Sequence, residues 1–158
     1  MTNEILKEKL EVFKKRFELE SEKIKNDIHY QSILNITNSL SRINNKKESE
    51  EHKQLLSEFL DQVLEIDLPL GKMESLDLYN KYIHKPGQYL IRQKDFRTNA
   101  GVLLKNVIMG IILDIIVFYF FNDKLPFYFP IFTLILGIAG YRWKRIAIKE
   151  NRYFGIGY

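Results

Sequence analysis

Cysteine is absent from the 158 residues, which excludes disulfides, thiolate nucleophiles and cysteine metal sites. Histidine is nearly as scarce. His29, His52 and His84 stand too far apart in sequence to form a ligand motif, so no metal is expected. A glycine-rich phosphate loop, a nucleophile elbow and a paired-carboxylate motif are all missing, and the chain reads as a non-enzyme without cofactors. Glu4, Lys7 and Glu8 interrupt the stretch where a signal peptide would hold its apolar core, and Thr2 stands where myristoylation requires glycine. Membrane insertion is therefore expected to depend on later segments.

Acidic residues are scarce only in the second part. Residues 101–158 hold three, Asp114, Asp123 and Glu150, against seven Lys and Arg, whereas residues 1–100 hold 17 of each sign. The net charge of +4 thus lies entirely beside the apolar runs, as membrane flanks do. A balanced first part offers no basic face, so no nucleic-acid partner is expected.

In that first part, Leu6, Leu10, Phe13, Phe17, Ile24, Ile28, Ile33, Ile36, Leu40 and Ile43 recur at spacings of three, four and seven among Lys and Glu. The pattern predicts an amphipathic helix over residues 5–43, long or broken once near 27–32. Leu6, Leu10, Phe13 and Phe17 also keep a coiled-coil spacing, so packing within the domain and self-association both remain open. A polar turn at residues 44–47 leads to a helix with Leu55, Leu56, Phe59, Leu60, Val63 and Leu64 on one face, ended at Leu68-Pro69-Leu70-Gly71. A short helix is expected over 74–83, stopped by Pro86-Gly87. The cation clusters at 14–16 and 46–47 are flanked by acids and read as solvated faces.

Residues 88–100 mix Tyr89, Leu90, Ile91 and Phe96 with Arg92, Lys94 and Arg97, which suits a basic amphipathic linker lying at lipid headgroups. Two apolar runs follow, 101–121 and 125–143. At 1.5 Å per residue they cover about 31 and about 28 Å, close to the thickness of a hydrocarbon core. Only Asn122-Asp123-Lys124 separates them, which makes them antiparallel neighbours in a hairpin. Cations flank the open end: Arg92, Lys94 and Arg97 before it, Arg142, Lys144 and Arg145 after it, with Trp143 among them. The positive-inside rule then puts both termini in the cytoplasm, with residues 144–158 as a basic tail. Tyr119, Phe120, Phe121, Phe127, Tyr128 and Phe129 would mark the outer rim.

Asp114 is the most informative position, because an acid within a span costs about 2.5–3.5 kcal/mol on insertion scales and is retained facing protein or water. Folding the hairpin about its turn brings residues whose numbers sum to about 247 to equal depth. This sets Asp114 level with Thr133, Gly110 with Gly137, and Asn106 with Tyr141, a polar seam on both helices. Either the seam closes one hairpin, with Thr133 donating to Asp114, or several hairpins associate and it lines a shared interior. Lys105, on the opposite side of its helix from Asp114, reads as an interfacial anchor.

The fold is expected to be all-α: a small cytosolic helical domain, residues 1–87, then the linker and a two-helix transmembrane hairpin, residues 101–143. In layout this resembles the two-span membrane effectors of bacterial antiviral defence systems, in which a sensing domain controls a membrane-perturbing segment. The resemblance implies a bacterial inner-membrane location. The expected function is a homo-oligomeric, channel-like or permeabilising assembly in the lipid bilayer, controlled by the helical domain, to which a protein partner or small ligand would bind. The alternative is a membrane-tethered scaffold or adaptor, or an accessory subunit of a membrane complex.

Overall fold

The computed structural model describes residues 3–43, 47–98, 100–121 and 129–155. Most of the expected turn at 44–47, the hairpin tip at 122–124 and the start of the second span lie outside them. Among the described residues the chain is helical, with one isolated bridge between Arg97 and Tyr153. It divides into two units: Met1–Phe96 with Phe154–Tyr158, and Arg97–Tyr153.

The first unit is built by amphipathic helices that share one apolar core. Helix α1 (Asn3–Phe17) points Leu6, Leu10, Phe13 and Phe17 inward, with Glu4 near its N-terminus and Lys14, Lys15 and Arg16 near its C-terminus, the order the helix dipole favours. These four residues are buried within their own unit, which is the intradomain reading of their spacing. Phe13 stands at the centre of an aromatic cluster, with ring centroids 5.1 Å from Phe17, 5.3 Å from Tyr30 and 6.3 Å from Phe59.

The helix expected over 5–43 is broken twice rather than once. Ser21 caps α2 (Glu22–Asp27) by accepting from the Ile24 N–H, and His29, at φ 54°, turns the chain into α3 (Tyr30–Leu40). Helix α4 (Lys47–Glu65) carries Leu56, Phe59, Leu60 and Val63 into the core. Its Lys53 is buried yet satisfied, donating to the Ile43 carbonyl at 2.8 Å and to Glu50 at 2.8 Å.

Helix α5 (Lys72–Leu78) begins where Glu74 reaches back to the Gly71 N–H at 2.8 Å, and it runs through a wide π turn, Tyr79–Ile83, into α6 (His84–Lys94). Pro86-Gly87 therefore does not stop the helix. Pro86 falls in the first turn of α6, where a missing N–H is tolerated, just after a π turn has already shifted the hydrogen-bond register. Gly87 serves packing instead: a Cβ there would lie 2.2 Å from the Phe154 ring.

Two expected boundaries change with this. Residues 88–94 belong to α6, and Tyr89, Leu90 and Phe96 enter the core, because an apolar stripe at helical spacing finds protein to cover it; Arg92 and Lys94 stay exposed. Residues 144–158 are not a separate tail. The last helix, α8 (Ile131–Lys149), runs past residue 143, and Phe154 is buried in the first unit's core.

The second unit holds a π turn (Ala100–Leu104), α7 (Lys105–Phe121) and α8 (Ile131–Lys149). Helix α8 ends on Asn151 at φ 55°, with Arg152 N–H donating to the Ala147 carbonyl and Asn151 N–H to the Ile148 carbonyl, a Schellman closure. That reversal presents the Arg152 carbonyl to the Arg97 N–H at 2.8 Å, tying the two feet of the unit together.

Candidate functional site

The seam between α7 and α8 is assembled at the start of α8. Pro130 occupies the N-cap position and has no side-chain oxygen to satisfy the first-turn N–H groups. Asp114 of α7 supplies it. One carboxylate oxygen accepts from the Phe132 N–H at 3.0 Å, and the other accepts from the Thr133 N–H at 2.8 Å and the Thr133 hydroxyl at 2.6 Å. The acid is 5% exposed. A carboxylate placed against the positive end of a helix and given three donors is stabilised by both the dipole and the hydrogen bonds. Asp114 thus caps a helix other than its own.

Glycine makes the approach possible. A Cβ on Gly110 would lie 2.5 Å from the Thr133 Cα and 2.9 Å from the Phe132 carbonyl, both backbone atoms that cannot move aside alone. Gly110 therefore meets the first turn of α8 and not Gly137. Gly137 has room, since its nearest neighbour to a Cβ would be a Val107 methyl at 3.9 Å. Asn106 does not face Tyr141 either. It packs on Gly140, where a Cβ would come within 2.9 Å of the Asn106 amide nitrogen and 3.1 Å of the Val102 carbonyl, while Tyr141 is exposed.

The reason for the shift is helical phase. Two successive four-residue steps, 133 to 137 to 141, rotate about 80° off a contact face, whereas a four followed by a three returns to it. Gly140 was legible as a small residue three positions after Gly137, and a strict four-residue stripe passed over it.

The cationic residues flanking the apolar runs are distributed as follows. Arg92 and Lys94 are exposed on α6, and Arg97 makes the bridge to Tyr153. On α8, Arg142 and Trp143 are exposed, Lys144 lies 5.4 Å above the Tyr153 ring, and Arg145 lies 5.5 Å above Tyr141. Lys105 is exposed.

The outward surface of this unit is apolar. Ile108, Ile111, Ile115 and Phe118 on α7, and Ile131, Leu134, Ile135 and Ile138 on α8, are all exposed. Among the described residues one helix, Gly101–Phe120, is long and apolar enough to cross a membrane, with a mean hydropathy of 2.2. In α8 the apolar run gives way to Arg142, Lys144 and Arg145.

The histidines sit against tyrosine rings: His29 and His84 on Tyr79, and His52 on Tyr89. His29 Nε2 stands 2.9 Å from the Ser75 carbonyl, which can only accept, so that nitrogen carries the proton. Burial holds its pKa below the usual value. No cluster of three metal-ligating side chains occurs among the described residues.

No family model matches the chain, and neither a curated protein nor a solved structure resembles it.

Proposed function

We propose that the protein is a two-span integral membrane protein in which α7 and α8 form a hairpin closed on itself by Asp114, and that this hairpin anchors the helical unit as a cytoplasmic scaffold or adaptor. The carrying observation is that Asp114 accepts three hydrogen bonds from the first turn of α8, within its own hairpin. In hydrocarbon, an unpaired backbone N–H costs several kcal/mol, so an acid that caps the second helix repays its own cost of insertion. An acid poised in a water-filled, multi-subunit interior would instead present its oxygens away from the helix that it caps.

The apolar exterior supports the same reading. Soluble proteins rarely expose a contiguous apolar patch beyond a few hundred Å², yet here the outer faces of two neighbouring helices are apolar along most of their length. Cations at the open end set both termini on the cytoplasmic side.

Liposomes holding the full chain separate this reading from the channel-like, homo-oligomeric one. The anchor reading expects the protein to stay with the vesicles through an alkaline wash and to release no more entrapped ion than empty vesicles do. A leak that grows with protein-to-lipid ratio and disappears in Asp114→Asn would contradict it and favour a pore. The resemblance in layout to two-span defence effectors does not decide between the two outcomes.

A further inference from the structure

The acids of the helical unit are not treated alike. Asp61 pairs with Lys9, Glu11 with Lys14, Glu20 with Arg16, Glu22 with Lys25 and Glu50 with Lys53. Asp67 and Asp77 are among several acids of the unit, Glu8, Glu18 and Glu51 included, that have no ion pair among the described residues. Asp67 and Asp77 line one open groove of about 530 Å³, and Glu74 stands on the same rim with one oxygen held by the Gly71 N–H.

The floor of that groove is apolar. Leu78 is nearly buried, and Ile66 and Leu70 are half-buried against the core. Three acids face one cation, Lys81, on the lining of the groove, so the rim stays net negative. Lys81 lies 4.6 Å above the Tyr82 ring, and the Gln62 carbonyl is occupied by the Tyr82 hydroxyl at 2.6 Å. Helix α4 ends beside the groove with no basic residue in its last turn and with Glu65 there, so the negative end of its dipole adds to the same potential.

We propose that this groove, between the end of α4 and α5, docks a basic amphipathic segment of a partner protein. One or two apolar side chains would seat on Leu70 and Leu78, and flanking Lys or Arg would meet Asp67, Glu74 and Asp77. The volume suits a few side chains rather than a whole domain face. The proposal rests on the reading of the helical unit as the recruiting part of a membrane-anchored protein, and it supplies the chemistry of what is recruited.

The test uses the full chain in zwitterionic lipid nanodiscs and a fluorescent twelve-residue peptide with two leucines at i and i+4 flanked by four lysines. Empty nanodiscs give the lipid background, and a photoreactive leucine in the peptide marks its seat. Saturable binding is expected, with cross-links confined to residues 66–78. Affinity should fall about tenfold in the triple variant Asp67→Asn, Glu74→Gln, Asp77→Asn, and a glutamate-for-lysine peptide should bind at least tenfold more weakly.

If the triple variant loses helix content, Asp77→Asn alone, at an exposed and unpaired position, should weaken binding about twofold to threefold. Absence of binding, undiminished binding by the variants, cross-links elsewhere, or cross-links between two copies of the chain that exclude the peptide would each overturn the proposal. Loss of the protein from vesicles under alkaline wash would instead overturn the anchor reading. It would leave the peptide affinities as they are.

Discussion

The two units of this chain solve opposite problems with the same secondary structure. In the helical unit Phe13, Phe59 and Ile33 are buried and most charged side chains are exposed, while in the hairpin unit Ile111, Ile115 and Ile135 are exposed and the acid Asp114 is buried. Helix ends show the same inversion. Ser21 caps α2 locally at the surface, whereas α8 is capped from a neighbouring helix by a residue buried between the two. A helix in water can leave first-turn N–H groups to solvent, but a helix in hydrocarbon must find protein acceptors for them. On the proposed anchor reading, this placement of polar and apolar side chains fits a water-facing unit joined to a lipid-facing one.

The largest expected effect tests the water-facing half. Phe59→Ala should cost the helical unit about 3–5 kcal/mol, read from the denaturant midpoint of its helical circular dichroism, because it empties an aromatic cluster shared with Phe13 and Tyr82. A loss under about 1 kcal/mol would mean that this core is loosely packed.

Next comes the cap. Asp114→Ala should destabilise the hairpin by about 2–4 kcal/mol in detergent, since three donors lose their acceptor, and Asp114→Asn should cost about half as much because one carbonyl oxygen remains. Equal stability of all three forms would remove the cap from the account.

The glycines should rank by geometry. Gly110→Ala is expected to cost about 1–3 kcal/mol, because the new methyl meets backbone, and Gly137→Ala less than about 0.5 kcal/mol. Ile115→Ala, on the outer face, should also stay within about 0.5 kcal/mol. That would be an apolar deletion with an outcome opposite to Phe59→Ala. A cost at Ile115 comparable to a core residue would place that face against protein rather than lipid.

The smallest effect is a pH dependence confined to the helical unit. Burial lowers the His29 pKa, outweighing the hydrogen bond to Ser75 and the nearby Asp27, and the Tyr79 ring packs beside it at a tilt with centroids 5.2 Å apart. A folded-state pKa below the unfolded value means that the unfolded chain binds more protons in acid. Stability is full above the ordinary value of 6.5 and declines as pH falls below it. The melting midpoint should therefore drop between about pH 7 and about pH 5, and less so in His29→Asn, since asparagine tolerates the left-handed backbone at this position. His52, lowered by burial too, leaves a residual slope.

Much of this was legible in the residues. Periodicity in α1, α3 and α4 identified their inward faces except at Leu64, which is exposed, and depth-matching about the turn placed Asp114 level with Thr133, where the two are hydrogen-bonded. What escaped has local causes. Breaks at 18–21 and 28–29 depend on the backbone of single residues such as His29. Pro86-Gly87 reads as a stop until a π turn and the Phe154 ring, which are tertiary facts, account for both residues. Phe154 itself returns to the first unit from 58 residues beyond Phe96, and no pattern of local spacing encodes that. The backbone donor of Phe132 carries no side-chain signature at all.

The absence of cysteine makes the central claim directly measurable, because any introduced thiol is the only one in the chain. Single cysteines at Gln93, Ile112, Ile138 and Asn151 would be exposed in sealed inside-out vesicles to a membrane-impermeant maleimide. The hairpin predicts that positions 93 and 151 label without detergent, that both are protected in right-side-out vesicles, and that 112 and 138 remain unlabelled in either. Labelling of 93 and 151 from opposite sides, or of 112 or 138 in intact vesicles, would contradict a two-span hairpin.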